Sequence, residues 1–204
     1  MDALDKYKKV WDNQPNDTNK VSKADIYKMS RSKSSSIVKW IFIIGLLELI
    51  IPFIMYLFCD LDELNNNYKK LGIENYALYS QIILYPIIIV FIYLFYKNYR
   101  SISSTDTTKE LMNKILKTRK TVRNYIFLNL FYAFITLITV IIATVNIQMS
   151  HLNTKSIVII VVAALFFGTL FIGFLWLIYQ LLYGILLRKL NKNYKELAKL
   201  DELN

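Results

Sequence analysis

Three features of the chain predict an all-α integral membrane protein, a four-helix bundle of up-and-down topology with short cytoplasmic amphipathic helices. First, four apolar runs are each long enough to cross a hydrocarbon core of about 30 Å at about 1.5 Å rise per residue: 37–58, 77–96, 125–147 and 156–187. Second, 22 of the 25 Lys and Arg residues lie in 1–39, 97–124 and 188–204, leaving Lys69, Lys70 and Lys155 for the other side. The positive-inside rule then places both termini in the cytoplasm of a multi-pass protein of the inner (cytoplasmic) membrane. Third, the 204 residues are 55% hydrophobic yet hold only 5 Gly and 3 Pro, a composition for long helices. The net charge of +10 belongs to this topology, because the positive residues flank apolar runs and form no basic face for nucleic acid.

Residues 1–36 read as a polar cytoplasmic region. Leu4, Tyr7 and Trp11 recur at helical spacing, an apolar stripe for the membrane surface, for the protein's own cytoplasmic parts or for a partner's groove. Pro15 in QPNDTN ends that helix, and 22–33 is expected to form a second short helix before the serines 34–36. The polar leader is too long, and the apolar run too long, for a cleaved signal, so the first span is expected to be an uncleaved anchor.

The first span, 37–58, carries Glu48 at its middle. A mid-membrane carboxylate costs roughly 3 kcal/mol on insertion scales, while the run's 15 Ile, Leu, Phe and Val residues contribute roughly −0.3 to −0.6 kcal/mol each, so the run inserts. Residues 59–76 read as a polar hairpin loop with solvated acids, and Cys59 as a buried lone thiol or an intermolecular disulfide. The second span, 77–96, contains Pro86 as the first contains Pro52, each expected to kink its helix. In the basic cytoplasmic loop 97–124, Thr107 and Glu110 have capping-box spacing, and Leu111, Ile115 and Val122 continue one face of an amphipathic helix that enters the third span, 125–147. The fourth run, 156–187, exceeds a bilayer's need and continues as a cytoplasmic C-terminal helix over 188–204. Tyr and Trp near the span ends, Trp40, Tyr56, Tyr76, Tyr79, Tyr96, Tyr125 and Tyr183, suit headgroup level.

Helical phase predicts an intramembrane polar seam. Gly45 and Glu48 share a stripe with Ile41 and Pro52, Asn129, Thr136 and Thr139 lie on one side of the third span, and Thr169, Gly173, Gln180 and Gly184 on one side of the fourth. Ala164 with Gly168 makes a second small-xxx-small pair. Small residues permit close approach in lipid and polar ones bond across, so Glu48 is expected to meet Thr136 or Thr139 and Thr169, with Gln180 nearer the cytoplasm. It is either a proton or cation site or a protonated acid hydrogen-bonded within the bundle.

Enzyme chemistry is poorly supplied. One histidine, His151, one cysteine, and no phosphate-cradling glycine pattern leave no metal, no cofactor and no catalytic residue to nominate. The segments LDKYKKVWDNQ, 24–48 and 104–130 resemble a family of short four-span inner-membrane proteins of flavobacteria-type bacteria, often labelled beta-carotene monooxygenase. The resemblance covers most of the chain and implies topology and origin. A carotenoid oxygenase holds its iron with four histidines, and this chain has one. Two function classes follow: a membrane interaction or regulatory protein docking a protein partner, or a further copy of itself, through cytoplasmic helices; and a small transporter or channel subunit using Glu48.

Overall fold

The computed structural model describes residues 22–105, 107–148 and 153–202, and the Leu4, Tyr7 and Trp11 stripe and His151 lie outside them. Helix α1, Lys23–Phe58, runs 36 residues without interruption. Ser22 starts it by accepting from the Asp25 N–H at 3.1 Å and donating to the Asp25 carboxylate at 2.8 Å, a cap worth about 1 kcal/mol. The separate short helix expected over 22–33 is therefore the opening of one long helix: no Pro or Gly breaks it before Gly45, and Ser34, expected in a lead-in, is buried.

The 59–76 segment is another correction, because it holds helix α2, Leu61–Lys70. Asp60 accepts from the N–H groups of Asp62 and Glu63 at 3.0 and 3.1 Å. Acids occupy the first turn and Lys69 and Lys70 the last, each at the end its charge favours. The helix stops at Gly72, φ +64°, where Gly72 N–H donates to Lys69 O and Ile73 N–H to Tyr68 O, the paired bonds of a Schellman cap. Cys59 is exposed just before α2, which corrects the buried-thiol alternative of the two expected for it.

Helix α3 spans Glu74–Ser103 and helix α4 Thr108–Gln148. Thr107 accepts from Glu110 N–H at 3.3 Å, as the capping spacing predicts. Helix α5, Thr154–Tyr179, is capped by Asn153, which accepts from Ser156 N–H at 2.9 Å. A π-helical turn, Gln180–Gly184, joins it to helix α6, Ile185–Glu202. Pro52 and Pro86 sit inside helices that continue on both sides of them.

Among the described residues, four helical stretches are long and apolar enough to cross a membrane. Their packing is uneven along their length. At the polar end, α1 packs on α3 and α6, and α4 on α3 and α6. These helices enclose a core of Val38, Ile102, Leu111, Ile115, Leu190 and Leu197, all fully buried. The apolar faces of the 107–123 helix and of the tail after Arg188, both candidates for docking a partner, are thus spent on this core. In the apolar halves, no more than 11% of the most apolar stretch of any of the four is buried. Large side chains such as Phe53, Phe58 and Phe166 face outward there. Burying an aliphatic or aromatic side chain gains roughly 1.5–3 kcal/mol in water, so the polar end holds most of the packing energy available in an aqueous phase.

Candidate functional site

Where the polar-end core gives way to the apolar halves, α1 turns Ile41, Gly45 and Glu48 inward, one turn or nearly two apart on one face. Gly45 is buried because α3 approaches it. A Cβ there would stand 3.0 Å from the Phe95 ring and 3.7 Å from the Tyr183 hydroxyl. Phe95, Tyr125 and Tyr183, each at most 1% exposed, come from α3, α4 and the π turn. Phe95 meets Tyr125 edge-on at 5.3 Å and 80°, and Tyr125 meets Tyr183 at 6.0 Å and 71°, the arrangement that ring quadrupoles favour. Tyr179 stacks on Tyr183 at 6.1 Å.

Into this aromatic cage the Tyr125 hydroxyl donates to Glu48 Oε2 at 2.6 Å. The other carboxyl oxygen, Oε1, and the Tyr183 hydroxyl are both buried and close to each other, and neither makes a hydrogen bond of normal geometry among the described residues. Each unmade bond costs roughly 1–3 kcal/mol. As a carboxylate Glu48 only accepts; protonated on Oε1, it gains a donor on the oxygen that makes no such bond. The site can therefore hold a proton on Oε1 without disturbing the Tyr125 bond.

The expected partners of Glu48 are elsewhere. Thr136 bonds the Tyr76 hydroxyl at 2.9 Å, tying α4 to the start of α3. Thr139 and Thr169 donate to carbonyls of their own helices, Ile135 at 3.0 Å and Leu165 at 2.7 Å, and Asn129 donates to Tyr125 O at 2.9 Å. The error was one of depth. Midpoints of the apolar runs put Glu48 level with Thr136, whereas the polar-end core sets the register and pairs it with Tyr125 at the start of the third run. A helical side chain also leans toward its helix's N-terminus, which carries the Glu48 carboxyl toward the polar end.

The stripe on the fourth run is likewise corrected. Thr169, Gly173 and Gln180 are exposed, and open space lies where a Gly173 Cβ would be. Thr169 and Gly173 precede the π turn and face away because α5 turns its Gly168 side to α4, and the π turn breaks the phase only between Gln180 and Gly184. Gly184 is buried, and its missing Cβ leaves room for the Gln180 side-chain oxygen of its own helix. Gly168 is buried against α4, where a Cβ would lie 2.5 Å from the Leu137 side chain, and Ala164 is half-buried one turn before it.

Tyr125 and Tyr183, read as headgroup-level residues, are core residues; Trp40 and Tyr79, read the same way, are exposed. The signal for the first two was present. The α4 face runs Leu111, Ile115, Thr118, Val122, Tyr125, alternating steps of four and three, and Leu197, Leu190 and Tyr183 are seven apart. Both are heptad patterns that cross the edge of the apolar run without changing phase.

Fold and site together define an all-helical protein whose four long apolar helices meet at a self-packed polar end above a buried carboxylate. The chain belongs to the family of the domain of unknown function DUF8845, which matches residues 24–202. No curated protein matches the chain, and no solved structure does.

Proposed function

We propose that this protein is a four-span, up-and-down bundle of a bacterial inner membrane, with both termini cytoplasmic, acting without enzymatic chemistry as an interaction or regulatory protein. One observation carries the reading. The charged ends of the long helices, which hold 18 of the 25 Lys and Arg, bury their apolar faces on one another and run into the apolar halves. Such a unit is a basic platform coupled rigidly to its spans. The stripe Leu4, Tyr7 and Trp11 precedes it and supplies an apolar anchor for a protein partner or for a second copy of the chain.

The test compares Leu4→Asp with Trp11→Asp against wild type, purified from native membranes in mild detergent. The double variant is expected to lose a stoichiometric co-purifying protein while keeping wild-type helicity and melting. A partner that stays bound, or wild-type protein that elutes alone as a monomer, overturns the reading.

A second reading makes Glu48 a proton or cation site of a small transporter. It is favoured by the buried Glu48 Oε1 and Tyr183 hydroxyl, neither in a hydrogen bond of normal geometry among the described residues. It is opposed by the fully buried apolar plug of Val38, Ile41 and Ile102 on the polar side of the site. Glu48→Gln in reconstituted vesicles discriminates: a transporter loses proton-coupled or cation flux, and a scaffold shows none to lose.

A further inference from the structure

Between α4 and the α5–α6 junction runs a groove of about 480 Å³ whose walls change character along its length. At its polar end Arg119 and Arg123, one helical turn apart on α4, face Arg188 at the start of α6. None of the three forms an ion pair or hydrogen bond among the described residues, and no Asp or Glu lines the groove. At its other end the walls are Phe127, 71% exposed, and Trp176, 49% exposed. Phe127 stacks on Phe131 at 6.1 Å, which continues the apolar wall along α4.

Two other basic grooves among the described residues lack this combination. The one beside Arg31 is committed internally, since Arg31 donates through Nε and Nη2 to Ser103 O, and the one beside Lys189 contains Glu196. The groove lined by Leu49, Phe53 and Tyr85 has no charged residue.

Three unpaired guanidiniums above an aromatic wall match a molecule with an anionic head and hydrocarbon tails. Arginine binds phosphate oxygens in bidentate fashion and is less strongly hydrated than lysine. Basic pockets between helices at the cytoplasmic face suit anionic headgroups, and Trp176, 12 residues before Arg188, belongs to the apolar wall below them. The π turn contributes to the shape. It places Gln180 at the groove with its side-chain oxygen over Gly184, between the arginines and Trp176.

We infer that the Arg119–Arg123–Arg188 groove is a binding site for an anionic phospholipid, the phosphate held by the arginines and an acyl chain lying along Trp176 and Phe127. The inference rests on the membrane-span reading, and the position of the groove at the edge of the apolar runs gives it a lipid rather than a soluble phosphate. A lipid held there would bridge α4 to α6 across the outer side of the packed end.

The test uses the intact protein in detergent micelles carrying either phosphatidylglycerol or phosphatidylcholine, with retained lipid read by native mass spectrometry. Phosphatidylglycerol should be retained by wild type in preference to phosphatidylcholine. The triple variant Arg119→Gln, Arg123→Gln, Arg188→Gln should weaken that retention on the order of a hundredfold. A charge-matched control, Lys109→Gln, Lys195→Gln, Lys199→Gln, should retain it as wild type does. Equal loss in both triple variants would mean nonspecific charge attraction and overturns the site. Displacement by inorganic phosphate or glycerol phosphate at millimolar concentration would mean an ion site without tails and also overturns it.

Two further measurements separate failure of the lipid site from failure of the span reading: extraction of the membrane with alkaline carbonate, and labelling of the exposed Cys59 by an impermeant maleimide from outside the cell. A chain released by carbonate sinks both. A chain that stays embedded, with Cys59 labelled, yet binds the two lipids alike sinks the lipid site alone.

Discussion

Glu48 and Tyr125 stand 77 positions apart and share one 2.6 Å hydrogen bond, so each has a meaning that neither position has alone. Removing the donor leaves Glu48 without a hydrogen bond of normal geometry in a buried cage. Tyr125→Phe is therefore expected to cost about 1–3 kcal/mol, read as a shift in unfolding by a denaturing detergent. Glu48→Gln should cost less, about 1 kcal/mol, because its amide oxygen still accepts from Tyr125 while its N–H₂ offers donors toward the Tyr183 hydroxyl. The double variant should lose less than the sum of the two, since both changes break one bond. Strict additivity would mean that the two side chains do not interact.

The elements differ in what holds them. Helix α5 meets α4 at Gly168, where a Cβ would lie 2.5 Å from Leu137, and five residues later Gly173 faces open space. Gly168→Val is expected to destabilise by about 1–3 kcal/mol through overpacking. Gly173→Ala should be neutral or stabilise by up to about 1 kcal/mol, since alanine is the better helix former. The same unfolding titration reads both, and equal effects would show that α4 and α5 do not cross at Gly168. At the start of α1, Ser22→Ala removes the cap and should cost about 1 kcal/mol, seen as fraying of the first turn in amide exchange.

On the scale of the whole molecule, stability is concentrated at the polar end. Leu190 is fully buried between helices that are distant in sequence, so Leu190→Ala should cost about 2–5 kcal/mol in a cooperative transition. The apolar helices should keep their helicity after that transition, because their backbone bonds are satisfied within each helix. Asn193 donates to Ser34 at 3.0 Å across 159 residues in the same core. Ser34→Ala strands the Asn193 amide and should cost about 1–3 kcal/mol, whereas a larger serine-to-alanine effect at exposed Ser32 would contradict the packing described.

Sequence by itself determined the helices, because their causes are local. Apolar length, capping residues such as Thr107 with Glu110, and the sorting of Lys and Arg are written within single segments and need no partner to be recognised. It also singled out Glu48 as the one acid inside an apolar run, and Gly45 and Gly168 as places for close approach. Even α2 was within reach: Asp60, the paired lysines and Gly72 are its cap, its last turn and its stop.

Tertiary structure alone decided which side chains meet. Register between helices is set by the packed polar end, which no segment encodes by itself, and that register pairs Glu48 with Tyr125 instead of Thr136. The π turn at Gln180–Gly184 breaks the helical phase between exposed Gln180 and buried Tyr183, while Thr169 and Gly173, which precede it, lie outside because α5 turns its Gly168 side to α4. A periodicity argument assumes about 100° per residue throughout a helix, so a single wide turn defeats it beyond that point. The three arginines of the groove belong to the same class of fact: two are neighbours on α4, and only the packing of α6 against α4 brings the third to them.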